Sequence, residues 1–271
     1  MGNEKRDAEV YFGTAGWSYD DWAGTVYPAP LPAGFNPLAF LATDFEFVEV
    51  NTSFYRTPSL KLTSGWVKKT SNLERFGFWI KIHQQFTHQF SLDNSDAAAF
   101  TASLQPLAEA GKLWGLLAQF PYSFMFGPES MAYLKKLVEL FHSFHSPSLA
   151  VEFRHRSWDR DEVLDFFRQA GVTWTNIDQP VISASLPLSA RVTNAANAYL
   201  RLHGRNYRNW FANQGRDARY DYSYTATELG QIVAVIKKLR DQVRQVFVSG
   251  NNHYRGQAVK NLKQLKKMLA E

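Results

Sequence analysis

A chain of 271 residues with 45% hydrophobic side chains can bury one large core or two smaller ones. It contains no cysteine, which excludes disulfides, thiolate nucleophiles and cysteine-based zinc sites, and no apolar run approaches the ~20 residues of a membrane helix. A net charge of +5 and a pI of about 9.3 are compatible with anionic ligands, nucleic acid among them, and no membrane partner is expected.

Residues 1–9 read as a flexible N-terminal segment. Met1 to Asp7 is polar and lacks the apolar core of a signal peptide, which together with the missing cysteine points to the cytoplasm. Val10-Tyr11-Phe12 is a first strand that opens into a glycine-bearing loop, Gly13 to Tyr19. Pro28, Pro30, Pro32 and Pro37 break up the next segment, and a short helix begins at Pro37. The second strand runs from Glu46 to Asn51, with the β-branched Val48 and Val50 on one side and Phe47, Glu49 and Asn51 on the other. A short helix over 58–72 surrounds Trp66, and Phe76–Ile82 is the third strand. Asp96 starts a helix expected to run to Ala110, where Gly111 closes it. Leu113–Phe120 is continuously apolar, as a strand buried on both faces would be. A helix over 129–144 leads to a strand at Ser148–Arg154, and Asp161–Ala170 is helical and closed by Gly171. Strands at Val172–Ile177 and Ala198–His203 follow, then a periodic helix at Thr225–Val243, a strand at Val246–Ser249 and a basic helix over 256–270.

Eight strands with mostly helical connections, and no linker between halves, predict an α/β fold: a single-domain (β/α)8 TIM-like barrel over residues 10–271. An open doubly wound sheet fits less well, because no Gly-x-Gly-x-x-Gly follows the first strand. In a barrel the site lies at the C-terminal ends of the strands. Polar residues stand there on most of them. Glu49, Lys81, Glu152, Asp178 and His203 are the candidates for acid–base catalysis. The candidates for binding are Asn51, Tyr55, His88, Gln119, Arg154, Trp158, Arg201, Arg205, Asn251, Asn252 and His253, with Trp17 and Tyr19 from the first loop. Asn176 and His83 are further polar strand-end residues. Any one of them could simply meet water or satisfy a loop. Their convergence from seven strands is what argues for a ligand site, since buried charges without use or partner are expensive. His142 and His145 fit a solvated helix face, and Lys260, Lys263, Lys266 and Lys267 the outer face of the last helix. No P-loop, His-Glu-x-x-His or Gly-x-Ser-x-Gly is present.

The chain resembles the YecE-like family, a domain of unknown function found in bacterial barrel proteins. The matching motifs are Gly13-Thr14-Ala15-Gly16-Trp17-Ser18-Tyr19, Val48 to Tyr55, Thr87-His88, Gln119-Phe120-Pro121, Val151-Glu152-Phe153-Arg154 with Ser157-Trp158, Arg201 to Arg205 and Asn251-Asn252-His253. The resemblance spans Tyr11 to Met268 and implies a TIM-like barrel with its pocket at the mouth; it implies no particular activity. Ala15 stands where the family usually has serine, so no hydroxyl acts there.

Two functions fit these residues. The first is an enzyme acting on an anionic, phosphate-bearing substrate, held by the planar forks of Arg154, Arg201 and Arg205. His203 and His253 could move protons or bind a divalent metal in a metal-assisted hydrolysis. The second is a non-catalytic binder of nucleic acid or another polyanion, stacking bases on Trp17, Tyr19, Tyr55, Trp158, Tyr207 and Trp210.

Overall fold

The structure, a computed structural model, describes residues 8–142, 148–208, 210 and 218–271. Alternating strand and helix patterns fold as the sequence predicts. The eight strands among the described residues are β1 (Glu9–Ala15), β2 (Phe47–Val50), β3 (Gly77–Lys81), β4 (Leu113–Gln119), β5 (Leu149–Glu152), β6 (Thr173–Asp178), β7 (Asn197–Leu202) and β8 (Gln245–Gly250). They pair in chain order, all parallel, and β8 closes on β1 with Val10 opposite Val246 and Phe12 opposite Val248. β1 starts at Glu9 and Ala8 is buried, so the barrel takes in the last two residues of the expected N-terminal segment.

Around the barrel lie α1 (Pro37–Leu41), α2 (Leu60–Lys69), α3 (Gln84–Thr87), α4 (Asn94–Ala102), α5 (Gln105–Glu109), α6 (Pro128–His142), α7 (Asp161–Ala170), α8 (Ala226–Arg240) and α9 (Gln257–Ala270). Their ends obey local chemistry. Thr225 and Glu228 form a reciprocal capping box at the start of α8, and α7 stops at Gly171 with φ +64°. The helix expected from Asp96 to Ala110 is two helices. Pro106 has no N–H to offer and its ring would meet the carbonyl of Ala102, so the chain bends at Ser103 and Leu104 and restarts. The helix expected over 129–144 is described as far as His142, which is exposed; His145 lies outside the described residues. Lys260, Lys263 and Lys267 are exposed on α9, while Lys266 reaches back to Glu46 at 2.8 Å. Among the described residues no helix is long and apolar enough to cross a membrane.

The barrel interior explains where a site can form. Its lower part is filled by Tyr11, Phe47, Trp79, Leu117, Ala150, Tyr199 and Phe247. Aromatic rings take the volume that branched aliphatics usually fill, and glycines give way to them: a Cβ on Gly115 would sit 2.4 Å from the Trp79 ring. Side chains alternate along a strand, so the next inward position is two residues on. On six strands that step goes from apolar to polar: Phe47 to Glu49, Trp79 to Lys81, Leu117 to Gln119, Ala150 to Glu152, Tyr199 to Arg201 and Phe247 to Ser249. A dry aromatic floor thus carries a polar layer at the C-terminal mouth.

Candidate active site

Arg201 stands at the centre of the polar layer. Its Nε and Nη2 donate to the two carboxylate oxygens of Glu49 at 2.8 and 2.5 Å, and its Nη1 donates to Glu152 at 2.6 Å. Glu49 also accepts from the Tyr199 hydroxyl at 2.9 Å and from Ser249 at 3.1 Å. Arg154 Nε lies 2.7 Å from Glu152, and Arg154 Nη1 donates to Gln179 at 2.8 Å. Burial alone would raise the Glu152 carboxyl, but Arg154 and Arg201 outweigh it and hold the acid well below the ordinary range. Burial likewise opposes charge on Arg201, and the carboxylates of Glu152 and Glu49 overcome it and raise its pKa. Two carboxylates face two guanidinium groups, so each buried acid has a counter-charge within ion-pair distance.

His203 closes this layer from behind. The amide nitrogen of Asn251 donates to its Nδ1 at 2.8 Å, which leaves the proton on Nε2, 3.3 Å from Glu152. Burial, reinforced by Arg154 and Arg201, lowers its pKa to about 3, so the ring is neutral in ordinary buffers.

Lys81 differs from its neighbours. Its Nζ donates to the side-chain oxygen of Gln119 at 2.7 Å and sits 3.9 Å from the centre of the Phe54 ring. Burial drives the ammonium down to about 7; Arg201 and Arg154 push the same way, against the carboxylates of Glu152 and Glu49. The proton is therefore half on near neutral pH, the condition that suits an acid–base group.

Above this layer opens a cavity of about 590 Å³ whose lining includes Lys81, Gln119, Arg154, Arg201 and Asn251. That volume suits a small molecule. One wall is the loop after β1, where Gly16 has φ +100° and a Cβ would press 2.5 Å from the Tyr19 hydroxyl, so only glycine fits. This turn presents Trp17 and Tyr19. Tyr19 stacks on His253 with ring centres 4.3 Å apart, and Tyr220 packs on the same imidazole. Asn51 and Tyr55 follow β2, and Leu62 and Trp66 come from α2. The cavity has a cationic floor and a largely aromatic wall.

A family model described as "Protein of unknown function DUF72" matches residues 11–271. The chain belongs to the DUF72 family. The UPF0759 protein YunF of Bacillus subtilis is 33% identical over 275 residues, covering 96% of this chain and 94% of its own. The UPF0759 protein YecE of Escherichia coli K12 is 27% identical over 198 residues, covering 69% of this chain and 65% of its own. The crystal structure of a DUF72 family protein from Thermotoga maritima superposes with a TM-score of 0.84 at 37% identity, covering 97% of this chain and all of the other. More distant barrels share the fold alone. A D-psicose 3-epimerase from Clostridium cellulolyticum gives a TM-score of 0.51 at 12% identity, covering 96% of this chain and 98% of its own.

Within this DUF72 barrel the expected site residues separate into three groups. Trp17, Tyr19, Asn51, Tyr55, Lys81, Gln119, Arg154, Arg201, Asn251 and His253 line the cavity. Glu49, Glu152 and His203 lie buried directly beneath it and act on the lining residues.

The third group is not brought to the cavity. Trp174, Asn176 and Asp178 share the outer side of β6: Trp174 packs on Phe153 and Phe167, and Asn176 ties down the loop before β7 through Ser189 and Arg191. Asp178 accepts from Arg205 at 2.8 Å and Tyr224 at 2.6 Å, so this pair fastens the barrel to the α8 side. Asn252 is bonded to Tyr222 and Asn261. Trp158 stacks on Phe153 at 4.3 Å in the layer outside the barrel, its Nε1 donating to Phe124. His88 lies behind Phe54, its ring edge-on at 4.8 Å. Burial, then Lys81 and Arg154, lowers its pKa to about 4. Trp66 and Tyr220 were not among the expected site residues. Both come from connecting segments, where alternation along a strand gives no signal. Among the described residues no group of three or more His, Asp or Glu side chains is placed to hold a metal ion.

Proposed function

We propose that the barrel mouth is the active site of an enzyme acting on a compact anionic substrate, carrying phosphate or carboxylate. Arg154 and Arg201 hold the anion and Lys81 exchanges the proton. The observation that carries this reading is the convergence of three cationic side chains on the floor of one cavity, with two carboxylates among the described residues behind them. When Lys81 is protonated the floor has one positive charge in excess, and an anion would neutralise it. Glu49 and Glu152 serve as positioning residues, because both are paired with arginine and neither is among the residues that line the cavity. Each carboxylate is also held in an ion pair with arginine, and among the described residues no third His, Asp or Glu joins them in a metal-binding group, which argues against a metal-assisted step.

Thermal melting and calorimetry with inorganic phosphate and short phosphate esters, at two salt concentrations, test the proposal. Binding that survives 200 mM salt and is lost in Arg154→Gln supports it. Affinity confined to oligonucleotides, falling steeply with salt, would instead favour the polyanion binder suggested by the Tyr19–His253 stack at the rim.

A further inference from the structure

We infer that Lys81 is an amine nucleophile, forming a covalent imine with an aldehyde or ketone that also carries a carboxylate or phosphate. This rests on the anion-site reading and names its substrate class. Three features of the geometry point to it.

The charge balance of the polar layer is met without Lys81: Arg201 and Arg154 form ion pairs with Glu49 and Glu152. The lysine is therefore not required as a cation. Its hydrogen-bond partner is the neutral amide oxygen of Gln119, which accepts equally from an amine and from an ammonium. Lys81 is also the one lysine among the described residues that lines the cavity. Lys112 shows the contrast. Burial lowers its pKa too, but its Nζ donates to the carbonyls of Leu73 and Phe76 and it is not part of this cavity's lining. Lys112 is a structural lysine, and Lys81 is not.

Burial, helped by Arg201 and Arg154, keeps a fraction of Lys81 unprotonated near neutral pH, the activation that lysine nucleophiles need. The nitrogen lone pair attacks the carbonyl carbon, a C–N bond forms, and the amine proton passes to the carbonyl oxygen. The C–O bond of the carbinolamine then breaks. The oxygen leaves as water with one further proton from solvent, and a positively charged imine remains on Lys81. The face of Phe54, 3.9 Å from Nζ, favours that fixed charge, and Arg154 would hold the carboxylate or phosphate of the bound carbonyl compound. The imine then draws electrons from the adjacent carbon, which sets up loss of a proton or carbon group there.

The test is reductive trapping on the intact protein. Pyruvate or dihydroxyacetone phosphate is added near pH 7.5 with cyanoborohydride, and modified lysines are mapped by mass spectrometry. The inference expects labelling concentrated on Lys81, suppressed by excess inorganic phosphate, weak with neutral acetone, and reduced about tenfold or more in Arg154→Gln. Whichever probe labels best identifies the preferred anion. Labelling of Lys81 no greater than that of exposed Lys260, or unaffected by phosphate, overturns it. Melting of the same protein with phosphate separates the two failures. Protection by phosphate without an adduct removes the imine and leaves the anion site; neither protection nor adduct removes both. Mapping uses the unaltered chain, so the outcome does not depend on whether Arg154→Gln folds.

Discussion

Replacing Arg201 with leucine removes the guanidinium that bridges Glu49 and Glu152 across the barrel. The guanidinium is buried and makes three charge-assisted hydrogen bonds, two to Glu49 and one to Glu152. Breaking a buried pair on one side strands the partner charge and costs about 3–5 kcal/mol. With ~2.1 cal/mol/K of unfolding entropy per residue, a chain of 271 residues has about 0.57 kcal/mol/K in all, so the melting temperature should fall by about 5–9 °C. The pH dependence is more diagnostic than the size. Glu152 has a folded pKa well below its unfolded one, so it contributes stability that is present above the ordinary carboxylate range and lost as pH falls through the folded value. In Arg201→Leu the carboxylate keeps Arg154 and His203 but loses one guanidinium, its folded pKa rises, and that stabilisation shrinks. The difference between the parent and the variant should therefore be largest at pH 7 and narrow toward pH 4, where protonation relieves the stranded Glu152. Urea denaturation at several pH values measures this directly. A loss under 1 kcal/mol, or one equal at pH 7 and pH 4, would refute the view that Arg201 exists to balance these two carboxylates.

Lys81→Met should be at least as stable as the parent at pH 7. A lysine lowered from 10.5 to about 7 destabilises the fold increasingly as pH drops below 10.5, fully below 7, so any stability gain in the variant should disappear above pH 10 in urea titrations. Asp178→Ala should cost about 2–3 kcal/mol, because Arg205 and Tyr224 lose their shared acceptor, yet leave phosphate affinity by calorimetry unchanged, since the pair faces α8 and not the cavity. Gly115→Ala should cost about 1–3 kcal/mol by driving a methyl into the Trp79 ring, and Trp79→Phe in the same chain should recover part of that loss on thermal melting.

Strand and helix periods were enough to identify the closed barrel, because eight apolar runs separated by amphipathic helices have few other ways to bury both faces of every strand. The polar layer was also legible. In β2 the outward Val48 and Val50 mark Phe47 and Glu49 as facing inward, and the same parity places Lys81 above Trp79 and Arg201 above Tyr199. β6 was ambiguous for the same reason that β2 was clear. Thr173-Trp174-Thr175-Asn176-Ile177-Asp178 mixes polar and apolar residues on both faces, so alternation alone cannot say that Asp178 points away from the mouth. The split at Pro106 was written in the sequence, but glycine at 111 suggested a single longer helix. Partner choice belonged to the tertiary structure. Glu49 and Arg201 are 152 residues apart, and they meet because barrel closure sets the stagger of β2 against β7. That stagger, and the docking of α2 and of the segment around Tyr220 against the mouth, depends on how whole elements pack, which no local pattern of residues encodes.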